Sequence, residues 1–131
     1  VTETTETVLS GRVVNRNGEL VTVETDVGRL LALVALDGET VRLTIRADAV
    51  TLHAPAESPQ GADTSARNRL AGEVESVDAG ESVAVVHIDV GGADPLAAIV
   101  TMNSVRSMGL EPGATVEASF KATATHGVPV E

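Results

Sequence analysis

"LSGRVVNRNGELVTVETDVG", Leu9 to Gly28, lies over "LAGEVESVDAGESVAVVHIDVG", Leu70 to Gly91, with small gaps. The correspondence then continues. "LLALV" (Leu30 to Val34) matches "LAAIV" (Leu96 to Val100), and "DGETVRLTIRAD" (Asp37 to Asp48) matches "PGATVEASFKAT" (Pro112 to Thr123). Two copies of one unit of about 60 residues therefore make up the chain, and an internal repeat of this kind governs every later reading. "APAESPQGAD", Ala54 to Asp63, holds two of the five prolines and reads as a linker. The expected division is 1–53, a linker at 54–63, and 64–131.

Within each copy the apolar residues alternate as strands require. Val21 and Val23 flank Thr22, and Val86, Ile88 and Val90 alternate with His87 and Asp89. Turn signals at "NRNG", "DAG", "GGAD" and "EPG" cut each copy into four or five short strands. The second copy carries a segment the first lacks, "TMNSVRSMGL", Thr101 to Leu110. Thr101 or Asn103 can cap a short helix there and Gly109 can end it. Five short strands with one helix before the fourth form the pattern of an OB-type barrel. The expected fold is all-β with one short helix, arranged as two tandem OB-fold-like five-stranded barrels.

Composition narrows the function. The single aromatic is Phe120, so the core is built from Val, Leu and Ala, and base stacking has little to work with. A formal net charge of −10, with eight arginines and one lysine, disfavours a polyanionic partner such as nucleic acid. The same acid-rich, lysine-poor balance reads as that of a halophile's cytosolic protein, in which salt screens self-repulsion. No cysteine is present for disulfide, thiolate ligand or nucleophile. No apolar run of membrane-spanning length and no basic-then-apolar leader occurs. The chain opens at Val1 without an initiator Met, which reads as a piece of something longer. His53, His87 and His126 are scattered without metal-ligand spacing. No "GK" pair marks a P-loop and no strained-turn serine marks a hydrolase, so no enzymatic activity is expected.

The copies differ where a site would be. Counting back from Leu9 and Leu70, Ser65 stands opposite Thr4, Arg67 opposite Glu6, and Asn68 opposite Thr7. Thr101 stands opposite Ala35, Lys121 opposite Arg46, and Thr123 opposite Asp48. The second copy thus gathers a guanidinium, an ammonium and hydroxyls, while the first keeps a cation at Arg46 but places carboxylates at two of the other positions, Glu6 and Asp48, and a methyl at Ala35. Such a set suits a small oxyanion, because cations supply charge while hydroxyls and peptide N–H groups supply directed donors. The structural alternative is that Arg67 and Lys121 are solvated charges paired with Glu73 or Glu117.

"TSARN…L.G.V", followed by "AAIVT..SV..MGL.PG..V.A.FKAT", resembles the molybdate-binding Mop, or transport-associated OB (TOBE), family over Thr64 to Thr123. The first copy is a weaker member. Its "TIRADAVTLH" is similar to the "IRPEDV" segment in the C-terminal regions of ABC importer ATPases, with Ala47 where the family commonly has Pro. The resemblance implies a cytoplasmic domain, at the inner face of the membrane if attached to an importer, that binds molybdate or tungstate without other cofactor. It also implies a homodimer or higher oligomer with the ion between Mop units. Ser65, Arg67 and the Ala66 N–H would come from one side, Lys121 and the Ala122 N–H from the other, with Thr101 adding its hydroxyl. Asn68 would position the loop. The implied function is sensing by the regulatory tail of an importer ATPase. Rival settings are a free-standing storage protein, the ligand-binding tail of a molybdate-responsive transcription regulator, and a structural pair with no ligand.

Overall fold

The computed structural model describes residues 5–55 and 64–130, so most of the expected linker lies outside the described residues. In the first half the strands are β1 (Glu6–Asn17), β2 (Leu20–Thr25), β3 (Gly28–Leu33), β4 (Thr40–Arg46) and the short β5 (Thr51–His53). Those of the second half are β6 (Asn68–Ala79), β7 (Val83–Asp89), β8 (Leu96–Thr101), β9 (Thr115–Phe120) and β10 (Thr125–Pro129). One helix, α1 (Met102–Met108), separates β8 from β9. Single 3-10 turns at Ala47–Ala49 and Ala122–Ala124 follow β4 and β9.

Alternation puts Val21 and Val23, Val41, Leu43 and Ile45, and Val86 and Ile88 on inward faces, all essentially buried. Phe120 is also fully buried and supplies the largest core side chain. Burying each such group contributes roughly 1.5–3 kcal/mol, so a core of short aliphatics suffices when the layers interdigitate. No helix of the described residues is long and apolar enough to cross a membrane.

The fifth strand of each half crosses to the other. β1, β2, β3, β10 and β4 form a closed barrel, while the second sheet runs β5-β9-β6-β7-β8. Thr51 pairs with Ser119 and Leu52 with Ala118. His126 pairs in turn with Thr44, and Gly127 with Leu43. Under the repeat correspondence these are the same pairings twice. The repeat boundary at residues 53 and 64 is therefore crossed by two exchanged strands. Both sheets share one strand order. The first closes through a single parallel contact, His126 against Leu33, and the second is a sheet of that order. The 3-10 turns redirect the chain at the end of β4 and β9 and send the next strand to the neighbouring sheet.

Other features also recur in register. A bulge falls between Val13 and Asn15 on β1 and between Val74 and Ser76 on β6. Just before each bulge a glycine lies under the neighbouring strand. A Cβ on Gly11 would meet the Glu24 carbonyl oxygen at 2.6 Å, and one on Gly72 would strike the Asp89 carbonyl oxygen. Only glycine fits there, where the long strand bends to serve both sides of its sheet.

The helix begins as expected at Thr101, whose hydroxyl accepts from the Ser104 N–H at 3.1 Å; Asn103 lies inside it. Gly109 ends it in the left-handed region at φ 64°, and the Leu110 N–H closes on the Val105 carbonyl at 3.0 Å.

Candidate functional site

Asn68 opens β6 and Phe120 closes β9, and the two form the last pair of their ladder. Arg67 and Lys121 lie one residue beyond that pair, just outside the two strands, so the register brings a guanidinium-bearing and an ammonium-bearing residue to one end of the ladder. Both side chains belong to exposed residues. Like charges on neighbouring strands repel, and no described residue forms an ion pair with either. Neither of the alternative pairings, with Glu73 or with Glu117, is among the ion pairs of the described residues; Glu117 lies 3.8 Å from Arg69.

The equivalent corner of the first unit is closed. Arg46, which stands where the second unit has Lys121, is held by Asp48 at 2.7 Å. The Ala47 N–H donates to the Thr5 carbonyl at 2.9 Å. At the corresponding Ala122, no main-chain oxygen among the described residues takes up the N–H. One corner thus has its cation neutralised and its N–H occupied, while the other presents both.

The remaining expected residues divide. Ser65 is exposed beside Arg67. The Ala66 N–H donates to Thr64 Oγ1 at 3.1 Å, a local turn that shapes the loop and engages a donor expected to face the ion. Thr101 is not brought to this corner within the chain. It pairs with Val83, at the end of the sheet where β6 finishes, whereas Arg67 and Lys121 lie where β6 begins. Its hydroxyl also has two bonds already, accepting from the Ser104 N–H and donating to Ser104 Oγ at 3.1 Å.

Asn68 is buried, and its side chain bonds to the other unit. Its Oδ1 accepts from the Leu31 N–H and its Nδ2 donates to the Leu31 carbonyl, both at 2.8 Å, on strand β3 of the other unit. The repeat mate of Asn68, Thr7, accepts from the Ala97 N–H at 3.0 Å. Ala97 is the repeat mate of Leu31, so each unit pegs the third strand of the other. Thr125 completes the arrangement: its Oγ1 lies 3.4 Å from Asn68 Nδ2 and donates to the Lys121 carbonyl at 2.9 Å. The sequence reading missed Thr125, although its repeat mate Val50 carries no hydroxyl, and that contrast was the available signal.

Comparison with known proteins places the chain in a family. The TOBE domain family model matches residues 64–127. A probable molybdenum-pterin-binding protein of Haemophilus influenzae is 44% identical over 59 residues, 45% of this chain and 86% of that protein. The chain belongs to the Mop/TOBE molybdate-binding family. Molybdenum-pterin-binding protein 3 of Clostridium pasteurianum is another Mop/TOBE relative, 34% identical over 59 residues, 45% of this chain and 87% of that one. A solved structure of the cytoplasmic molybdate-binding protein ModG, with molybdate bound, superposes with a TM-score of 0.81 at 28% identity. It covers 94% of this chain and 96% of that one.

Proposed function

We propose that this Mop/TOBE chain binds molybdate, and its close analogue tungstate, in the cytoplasm. The corner formed by Ser65, Arg67, Lys121 and the Ala122 N–H receives the ion, with the Thr64–Ala66 turn shaping its rim. The observation that carries the reading is the contrast between the two corners. Arg67 and Lys121 stand together without a carboxylate partner among the described residues, whereas Arg46 is neutralised by Asp48. A tetrahedral dianion relieves the repulsion between the two cations and accepts from the neutral donors around them. Binding, not catalysis, is the chemistry this set supports.

Thr101 joins the site only from a second copy, which makes a homodimer or higher oligomer part of the proposal. The extent of the likeness to ModG, over nearly all of both chains, favours a ModG-like two-unit binding protein. The importer-tail setting draws its support from "TIRADAVTLH" and from the closed first corner, which leaves one open corner per chain, as a sensor needs. In that setting the ion regulates by its preference for the docked state. The net charge of −10 supports a high-salt, halophilic habitat.

Titration of the chain with sodium molybdate, sodium tungstate and sodium sulfate, followed by calorimetry and thermal unfolding, tests the reading. Ligand at 100-fold its Kd stabilises by about 2.7 kcal/mol. Absence of heat and of any shift with molybdate and tungstate would leave the corner a structural feature.

A further inference from the structure

The two cations alone do not fix a site, because exposed Arg and Lys side chains sweep a wide volume. What makes the corner definite is the main chain beneath it, and one buried hydroxyl holds that chain. Thr125 is 0% exposed and belongs to β10, a strand of the first barrel. Its Oγ1 donates to the Lys121 carbonyl at 2.9 Å and lies 3.4 Å from Asn68 Nδ2. Asn68 is in turn gripped by both main-chain groups of Leu31 on β3.

We infer that Thr125 is a positioning residue for the oxyanion corner, the middle of a relay from Leu31 through Asn68 and Thr125 to the Lys121–Ala122 peptide. The inference rests on the binding function proposed above. The Lys121 carbonyl and the Ala122 N–H belong to one planar trans peptide, so they point in opposite directions. The carbonyl is held inward by Thr125 Oγ1 and by the Ala124 N–H at 3.0 Å, which fixes in place a peptide whose Ala122 N–H points the other way. The same hydroxyl lies against Asn68, the residue after Arg67, so one group sets the spacing of the two strand ends that carry the charges. The first unit lacks this arrangement. Its equivalents are Thr7 and Val50; the backbone at Arg46 (φ −73°, ψ 137°) follows the course it has at Lys121 (φ −80°, ψ 148°), but there the Ala47 N–H is taken up by the Thr5 carbonyl and no hydroxyl ties the turn to the neighbouring strand. The first unit therefore serves the site as a clamp even though its own corner is closed.

Thr125→Val is nearly isosteric and copies Val50. It leaves no buried polar group unpartnered, since Asn68 Nδ2 keeps Leu31 and the Lys121 carbonyl keeps Ala124. The experiment measures molybdate Kd by calorimetry and the ligand-free melting temperature for the wild type, Thr125→Val and Thr125→Ser. The expected result is a roughly tenfold weaker Kd for Thr125→Val at an almost unchanged ligand-free melting temperature, with affinity restored in Thr125→Ser. If the wild type binds and Thr125→Val binds equally well, or loses affinity only in step with its melting temperature, the relay is overturned while the binding function stands. If the wild type does not bind molybdate, the function falls and the relay with it.

Discussion

Arg46 and Asp48 are joined at 2.7 Å, and the residues that replace them in the second unit, Lys121 and Thr123, cannot repeat that contact. One turn of sequence therefore separates a closed corner from an open one on the same scaffold. The register of every surrounding strand is shared, from Thr7 against Ile45 to Asn68 against Phe120. The difference lies in side-chain chemistry, and it can be moved by substitution.

Thr123→Asp should close the second corner in the image of the first. An exposed ion pair with Lys121 contributes at most about 1 kcal/mol to folding, so the melting temperature should stay close to that of the wild type. Molybdate affinity should fall by about tenfold or more, because the new carboxylate both occupies Lys121 and repels the dianion. Calorimetric titration reads the loss; unchanged affinity would mean that Lys121 faces something other than the ion.

Arg67→Glu copies Glu6 and reverses a charge beside the same position. A unit charge at ~4 Å with an effective dielectric near 20 is worth about 4 kcal/mol, and solvent exposure of the free corner reduces that figure. The expected loss is still at least about 100-fold in Kd, with the fold intact by circular dichroism. Retention of wild-type affinity would remove Arg67 from the site.

Much of this was legible in the sequence because repetition turns one chain into its own control. Strand periods, the helix with its Thr101 cap and Gly109 stop, and the contrasts of Arg67 with Glu6 and Thr123 with Asp48 all emerge from laying one copy on the other. The exchange of β5 and β10 did not emerge. A three-residue strand such as Thr51–His53 has the same alternation whichever sheet it joins, and the direction of a 3-10 turn is not written in residue types. Thr101 was grouped with the cations because it differs from Ala35. Within the chain Thr101 caps α1, which the first unit lacks, so only a second copy could bring it to the cations. Partners brought in by exchange, such as Leu31 for Asn68, lie 37 residues away and leave no local signature.

Strand exchange makes the two units interdependent. Deleting residues 125–131 removes β10 from the first barrel, leaving one side of β4 and the closing contact at Leu33 without a partner. It also removes the buried Thr125 from beside Asn68. Hydrogen exchange should show fast-exchanging amides on β4 between Val41 and Ile45. Deprived of its relay, the second unit should lose molybdate binding even though its four own strands remain. Slow exchange on β4 in the shortened chain would show that the barrel closes without the exchanged strand.

Salt should act on folding and binding with opposite signs. At a net charge of −10 the folded chain repels itself, and the screening length falls from about 30 Å at 0.01 M to about 3 Å at 1 M salt. Raising KCl from 0.05 to 1 M should therefore lift the melting temperature of the ligand-free chain by several degrees. The same screening weakens attraction between exposed Arg67 and Lys121 and a dianion, so molybdate Kd should rise over the same range. The balance is set by geometry: nineteen acids are distributed along the chain, whereas Arg67 and Lys121 lie at one strand end. Melting curves and titrations along one salt series read both slopes, and a Kd that tightens with salt would mean that the ion is held by neutral donors, not by the two cations.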